Sequence, residues 1–197
     1  PRMVWFGLEP MVPKHSQQAL QLAVGGKYPK LAGFVARRLL GEADAGNQNP
    51  PKQQTASEQN QTIQRVAAGF KVKNVGERGV VYHTVFRNRT AVQTHPLNRE
   101  TPCVLSRTVD VPTDAKTELK ISVSHHPHGD WQLRVLAGKE VLKQQIVRSS
   151  EVDKEWLEVT VDLSRFAGHK IDLSLENRAN DWKNEWAYWH TIQIVSD

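Results

Sequence analysis

Apolar and polar positions along this chain follow two different periods. Leu31, Phe34, Val35 and Leu39, with Arg38 beside them, recur at the three-and-four spacing of one helical face. A shorter helical stretch runs from Ser16 to Val24, with Ala19, Leu20 and Ala23 inward, and Gly25-Gly26 stops it. Pro29 suits the first turn of the next helix, and Gly41 ends it. Residues 1–41 therefore predict a small helical hairpin, too small to close a core alone and shaped like the end of a helical-repeat array. Residues 42–61 shift to Ala, Gly, Asn, Gln, Pro, Ser and Thr and predict a linker. Ile63, Val66, Ala67 and Phe70 return to helical spacing, so 62–79 predicts a short helix and a lead-in.

After Val80 the period changes to two. Leu119, Ile121 and Val123 alternate with Lys120 and Ser122, and Leu157, Val159, Val161 and Leu163 alternate with Glu158, Thr160 and Asp162. Ile171, Leu173 and Leu175 alternate with Asp172 and Ser174. Further strands are expected at Val80–Phe86, Val104–Val111, Trp131–Leu136, Val141–Val147 and Trp186–Val195. Turn signals such as Pro112-Thr113-Asp114, Pro127-His128-Gly129-Asp130 and Ala137-Gly138-Lys139 separate them. About eight short strands without intervening helices predict a mainly β fold, an antiparallel two-sheet jelly-roll sandwich over 80–197.

Composition narrows the function classes. In 197 residues, 39% hydrophobic and 24% charged positions are the balance of an ordinary globular protein, and no apolar run approaches the roughly 18 residues needed to span a bilayer. The net charge of +5 is dispersed, with Arg37-Arg38 the longest basic cluster, so neither a nucleic-acid footprint nor a membrane span is expected. Cys103 sits in the apolar run Pro102-Cys103-Val104-Leu105 and reads as a buried structural thiol. The opening Pro1-Arg2-Met3 reads as a piece of a longer protein.

The densest chemical cluster is Asn180-Asp181-Trp182-Lys183-Asn184-Glu185-Trp186-Ala187-Tyr188-Trp189-His190, which holds three of the six tryptophans. Sugar rings stack their C–H faces on aromatic rings, and their hydroxyls pair with amides and carboxylates, so this mixture suits a carbohydrate. Unbroken alternation from Ile192 and Ile194 puts Trp186, Tyr188 and His190 on the core face and Trp189 on the outside, with Glu185 on Trp189's side. The expected ligand-binding set is Asn180, Asp181, Trp182, Glu185 and Trp189. Structural calcium is the one cofactor left open, with Asp181, Glu185 and Asp197 as candidates, although no EF-hand spacing supports it. His125-His126-Pro127-His128-Gly129-Asp130 reads as a polar turn in which His125 continues the inward series and Asp130 bonds local backbone, with zinc as its alternative. No Gly-x-Ser-x-Gly elbow, phosphate-binding glycine loop or His-Glu-x-x-His appears, and Ser106 with His83 or His95 makes no convincing hydrolytic pair, so no catalytic residue is expected.

Three stretches carry a resemblance: Gly129-Asp130-Trp131-Gln132-Leu133, Val161-Asp162-Leu163-Ser164-Arg165-Phe166-Ala167-Gly168 and Glu185-Trp186-Ala187-Tyr188-Trp189. They resemble the galactose-binding-like jelly roll appended to large exported proteins of planctomycete-type bacteria. Trp5-Phe6-Gly7-Leu8-Glu9-Pro10 and Phe34-Val35-Ala36-Arg37-Arg38-Leu39 are similar to the end of the helical repeats in the same proteins. There a sugar-dehydrogenase-like propeller and a c-type haem domain often share the chain, but the C-x-x-C-H haem motif is absent here, so no redox chemistry carries over. The resemblance implies a non-catalytic accessory module, extracellular or periplasmic, with carbohydrate as first partner and the upstream domains of its own chain as second. Two rivals stand beside it: a structural module packing on those domains through Trp5, Phe6 and Phe34, and a small glycan hydrolase.

Overall fold

The computed structural model describes residues 21, 54–150 and 155–197. The chain divides into two compact units, Pro1–Lys52 and Gln53–Asp197, and the second carries everything described below. The helical hairpin expected over 1–41, with Trp5, Phe6 and Phe34, lies outside the described residues.

The second unit opens with a helix, α1 (Ala56–Ile63). The linker expected up to residue 61 therefore stops short of it. What the composition hid is a capping box: Thr55 Oγ1 accepts from Glu58 N at 3.2 Å, and Glu58 Oε2 accepts from Thr55 N at 2.8 Å. Tertiary bonds complete the stabilisation, since Asn60 Oδ1 accepts from Val72 N at 2.7 Å. Ile63, Val66, Ala67 and Phe70 are all buried, as their spacing predicts. The helix nevertheless ends at Ile63, and the chain reaches Phe70 through turns in which Gln64 bonds both Gly69 N and Phe70 O.

Ten strands follow: β1 (Lys71–Lys73), β2 (Val81–Phe86), β3 (Arg89–Thr94), β4 (Cys103–Asp110), β5 (Thr117–His125), β6 (Trp131–Ala137), β7 (Glu140–Val147), β8 (Leu157–Asp162), β9 (Lys170–Arg178) and β10 (Ala187–Ser196). They form two five-stranded sheets, β1-β4-β9-β6-β7 and β2-β3-β10-β5-β8, and every pairing is antiparallel. Successive strands cross repeatedly between the sheets, which makes the predicted jelly roll. Two strands were invisible to the pattern. Lys71–Lys73 is too short to alternate, and β3 follows β2 through Arg87 and Asn88, both at positive φ (48° and 62°), a hairpin turn without the usual glycine.

Alternating side chains meet between the sheets. Leu119, Ile121 and Val123 of β5 face Leu105, Leu173 and Leu175 of the other sheet within one core cluster. Trp131 and Trp189 anchor it, fully buried, with ring centroids 5.1 Å apart. Their indole N–H groups are satisfied: Trp131 Nε1 donates to Ser124 O at 3.0 Å and Trp189 Nε1 to Thr94 Oγ1 at 2.9 Å. Thr94 is a buried polar hub, because Asn177 Nδ2 also donates to its carbonyl and hydroxyl oxygens at 3.2 and 3.3 Å. Cys103 lies fully buried nearby, and desolvation pushes its thiol up to about 12.

The inward position of Trp189 reverses the expectation from alternation. In β10, Trp189 pairs with Val123 but Thr191 pairs with Ser122, so His190 is an extra residue in the ladder. This bulge shifts the phase by one: Ala187 and Trp189 join Ile192 in the main core, while Trp186 and Tyr188 turn to the outer face. There Tyr188 stacks on Phe86 at 3.7 Å, and Trp156 meets Phe86 edge-on at 6.1 Å. Arg87 fastens this satellite cluster by donating to Ser124 Oγ and Glu155 O at 2.9 and 3.1 Å.

Truncating the buried indole in Trp189→Ala should cost about 3–5 kcal/mol of unfolding free energy, measured by urea denaturation. Cys103 should resist a maleimide reagent in buffer and react fully once the chain is denatured.

Candidate functional site

At one end of the sandwich two loops press together: residues 126–130, between β5 and β6, and residues 179–186, between β9 and β10. Gly129 makes the contact possible. A Cβ there would lie 2.6 Å from Asn184 Cβ and closer still to the Lys183 and Asn184 carbonyl oxygens. Two bonds stitch the loops, Asn180 Nδ2 donating to Asp130 Oδ1 at 2.9 Å and Asn184 Nδ2 donating to His128 O at 3.2 Å. Asp130 thus reaches across to the opposite loop, rather than bonding only its own turn as expected.

Glu185 organises the second loop. Its side chain is fully buried, and its oxygens accept from four successive backbone N–H groups. Asn180 N donates to Oε2 at 3.0 Å, while Asp181 N, Trp182 N and Lys183 N converge on Oε1, the first at 2.8 Å and the last at 3.3 Å. Burial raises this carboxyl above its ordinary range, and the N–H bonds oppose that shift by favouring the charged form. Asp181 Oδ1 closes a smaller turn by accepting from Lys183 N at 2.8 Å. To aim four N–H groups at one carboxylate, the backbone enters the left-handed region at Trp182 (φ 67°) and Asn184 (φ 56°). For a tryptophan that conformation costs about 1–2 kcal/mol, and the buried carboxylate holds it in place.

Trp182 is consequently pinned at the rim. It is half-buried and meets the His95 ring edge-on at 5.2 Å. His95 lies in turn 4.4 Å from Trp186, over which the Arg78 guanidinium sits at 5.7 Å. His95 Nδ1 donates to Pro96 O at 2.8 Å, which leaves Nε2 as the acceptor of a neutral ring. Burial holds its pKa below the ordinary value, against smaller opposing effects from the Pro96 carbonyl and Glu77. An aromatic rim, an exposed carboxylate and an exposed amide therefore share one rigid edge.

Of the expected ligand residues, Asn180, Asp181 and Trp182 stand together at this rim, the first two exposed. Glu185 belongs to the same loop but beneath it, as its anchor. Trp189 is in the core, because the bulge reverses its direction. Arg78 and a rim role for His95, which the sequence raised only as a partner of Ser106, went unnoticed, since only the pairing of Thr94 with Ala187 brings that segment beside the 179–186 loop.

The calcium candidates separate in the same way. Asp130, Asp181 and Glu185 place carboxylate oxygens within 4.8 Å of one another, and no histidine joins that group among the described residues. Asp197 exchanges backbone bonds with Lys116 at the far end of β10, roughly 30 Å along the strand. Three N–H groups crowd Glu185 Oε1 and one bonds Oε2, so of this carboxylate only Oε2 keeps a lone pair for a cation held with Asp130 and Asp181. The histidine turn holds His126 and His128 with rings 5.8 Å apart, while His125 is buried and its Nδ1 lies 2.6 Å from His126 O and 3.0 Å from Gly129 O.

No protein-family profile and no curated protein matches this chain. Among solved structures it is similar to the K1 cleaved adhesin domain of Lys-gingipain from Porphyromonas gingivalis W83, 12% identical over 66% of this chain and 92% of that one, with a TM-score of 0.46. It is also similar to a family 35 carbohydrate binding module from Clostridium thermocellum, at 13% identity over 65% and 92% of the two chains and a TM-score of 0.42. A cyclase from Fischerella sp. TAU is 14% identical over 65% and 74%, with a TM-score of 0.40. Likenesses this remote carry no argument about ligand or activity.

His95 gives the site a pH signature. Its folded pKa lies below the unfolded value of 6.5, so on acidification the unfolded chain takes up the proton first. Stability should fall as pH drops below about 6.5 towards the depressed folded pKa, and His95→Gln should flatten that part of the curve in thermal melts between pH 7 and 5. Gly129→Ala, which wedges the two loops apart, should destabilise by about 1–3 kcal/mol in urea.

Proposed function

We propose that this β-sandwich is a carbohydrate-binding module and that its ligand seats on Trp182. The observation that carries the reading is a half-buried indole, locked in a strained left-handed conformation by a buried carboxylate and flanked by exposed Asp181 and Asn180. The same four hydrogen bonds that satisfy the buried Glu185 fix the indole at a rim position, outside the main core that closes on Trp131 and Trp189. A pyranose stacked on the indole would find hydroxyl partners in the Asp181 carboxylate and the Asn180 amide. Because the loop is already ordered, binding need not include the entropy of fixing it. One aromatic platform at an open rim suits a weak site, with Kd on the order of micromolar to millimolar.

In this reading the module serves as an accessory domain of a larger exported protein, of the planctomycete-type multidomain kind its sequence resembles, and meets its glycan outside the cytoplasm. Binding, without turnover, is the activity assigned to it.

A glycan array followed by calorimetry on the hits tests the assignment. Trp182→Ala should weaken binding by about 30-fold or more while changing unfolding free energy by less than about 1 kcal/mol. Chelator should leave binding unchanged, because the indole face and the Asn180 amide engage a sugar without a cation. A blank array, or equal binding by the variant, removes Trp182 as the platform.

A further inference from the structure

The outer face of the sheet β1-β4-β9-β6-β7 carries a groove of about 610 Å³, and none of its lining residues belongs to the Trp182 rim. The strand order explains why it exists. The adjacent inner strands β4 and β9 present mostly short side chains to this face, with Val104, Ser106 and Thr108 on one and Ser174 between Asp172 and Glu176 on the other. Gly138, at the β6–β7 turn, adds no side chain at all. Lys71 and Lys73 on the edge strand β1 are long and exposed, and they pair with Ser106 and Val104 to make one wall. Short residues in the middle and long ones at the side turn a flat sheet face into a channel.

The chemistry of the channel is mixed, and the mixture is selective. Lys71 and Lys73 have no ion-pair partner among the described residues. Glu176 is shared on a single oxygen by two guanidinium groups, Arg134 Nη1 at 3.3 Å and Arg178 Nη1 at 3.2 Å, which leaves that end cationic. Against these stand Asp172, which accepts from Thr108 Oγ1 at 2.8 Å, and Glu176 itself. The hydroxyls of Ser106, Thr108 and Ser174 line the floor.

From this arrangement we infer that the groove binds a stretch of acidic polysaccharide, a chain of uronate or sulfated sugars. Such a polymer has what each lining group requires. Its sparse anionic groups pair with Lys71 and Lys73, and its hydroxyls donate to Asp172 and Glu176. A nucleic acid fits poorly, because its dense phosphates would meet two carboxylates in the floor and its bases would find no aromatic platform there. A neutral glycan would leave both lysines unused. The site is independent of the Trp182 rim: it uses charge and hydrogen bonds where the rim uses stacking.

Affinity electrophoresis of the full chain tests it, in gels containing polygalacturonate, carrageenan or a neutral galactomannan, at low and raised salt. With the rim removed by Trp182→Ala, retardation is expected in one or both acidic gels, absent in galactomannan and weakened by salt. Lys71→Glu/Lys73→Glu should reduce the retardation by about tenfold or more. Both lysines are exposed on an edge strand, so the variant should fold, and an unchanged melting curve checks this. Ser174→Trp blocks the floor by volume instead of charge and should have the same effect. Glycans whose binding is lost on Trp182→Ala report the rim, whereas retention lost on the lysine variant reports the groove. Retardation of Trp182→Ala in the neutral gel equal to that in the acidic gels, indifference of the acidic gels to both groove variants, or stronger retention by an oligonucleotide gel of matched charge would overturn the groove and leave the rim standing.

Discussion

One extra residue in one strand governs how this molecule distributes its aromatic side chains. β10 runs through the middle of its sheet, between β3 and β5, so any change of phase along it is imposed on two partners at once. With His190 looped out of register, the four residues before it point opposite to the directions that β10's later half would assign them. Trp189 therefore packs on Trp131 and bonds Thr94, which closes the end of the core. Tyr188 and Trp186, displaced outward, need cover, and the β2–β3 hairpin with Trp156 supplies it through Phe86. Without the bulge, Trp189 would be outside with its indole N–H separated from its buried partner.

The second constraint follows from where β10 begins. Glu185 lies just before the strand, on the side that the sandwich buries, and a buried carboxylate must be compensated. Here compensation comes from the backbone: the 180–183 segment curls so that its N–H groups converge on one carboxylate. The curl carries Trp182 through an unfavourable conformation and leaves it at the rim, while Gly129 lets the neighbouring loop lie flush against it. A residue that looks like a ligand by composition acts as the scaffold of the residue that is presented. The hydrogen bonds that compensate the carboxylate also hold the loop, and Trp182 with it, in one conformation.

The two surfaces described differ in the physics each would use. The rim has aromatic surface, the exposed Asp181 carboxylate and the exposed basic side chains of Arg78 and Lys183. The groove has no aromatic ring and a surplus of basic groups around a hydroxylated floor. A branched or substituted polysaccharide offers both sugar faces for stacking and charged substituents for pairing, so the two sites could act on one polymer with gains from effective concentration.

Much of the fold was legible from local pattern. Period-two alternation in 119–123, 157–163 and 171–175 located strands and their buried faces, and cross-strand packing kept each phase as written. Asn180, Asp181 and Trp182 were legible as a surface group, because a turn just ahead of a strand sits at the end of a sandwich. Three things depended on contacts remote in sequence. The bulge at His190 has no local signature, since it is stabilised by the partners that β3 and β5 provide. The burial of Glu185 depends on the main chain folding back on it. The groove depends on which strands become neighbours, as the short residues of β4 and β9 are separated by more than half the sandwich sequence and meet only through the sheet order. The sequence by itself determined eight of the ten strands among the described residues and which side chains are available at each loop. Tertiary structure alone decided which aromatic rings are core and which are presented, because that choice rests on a single-residue phase shift, and only pairing with both neighbouring strands can set it.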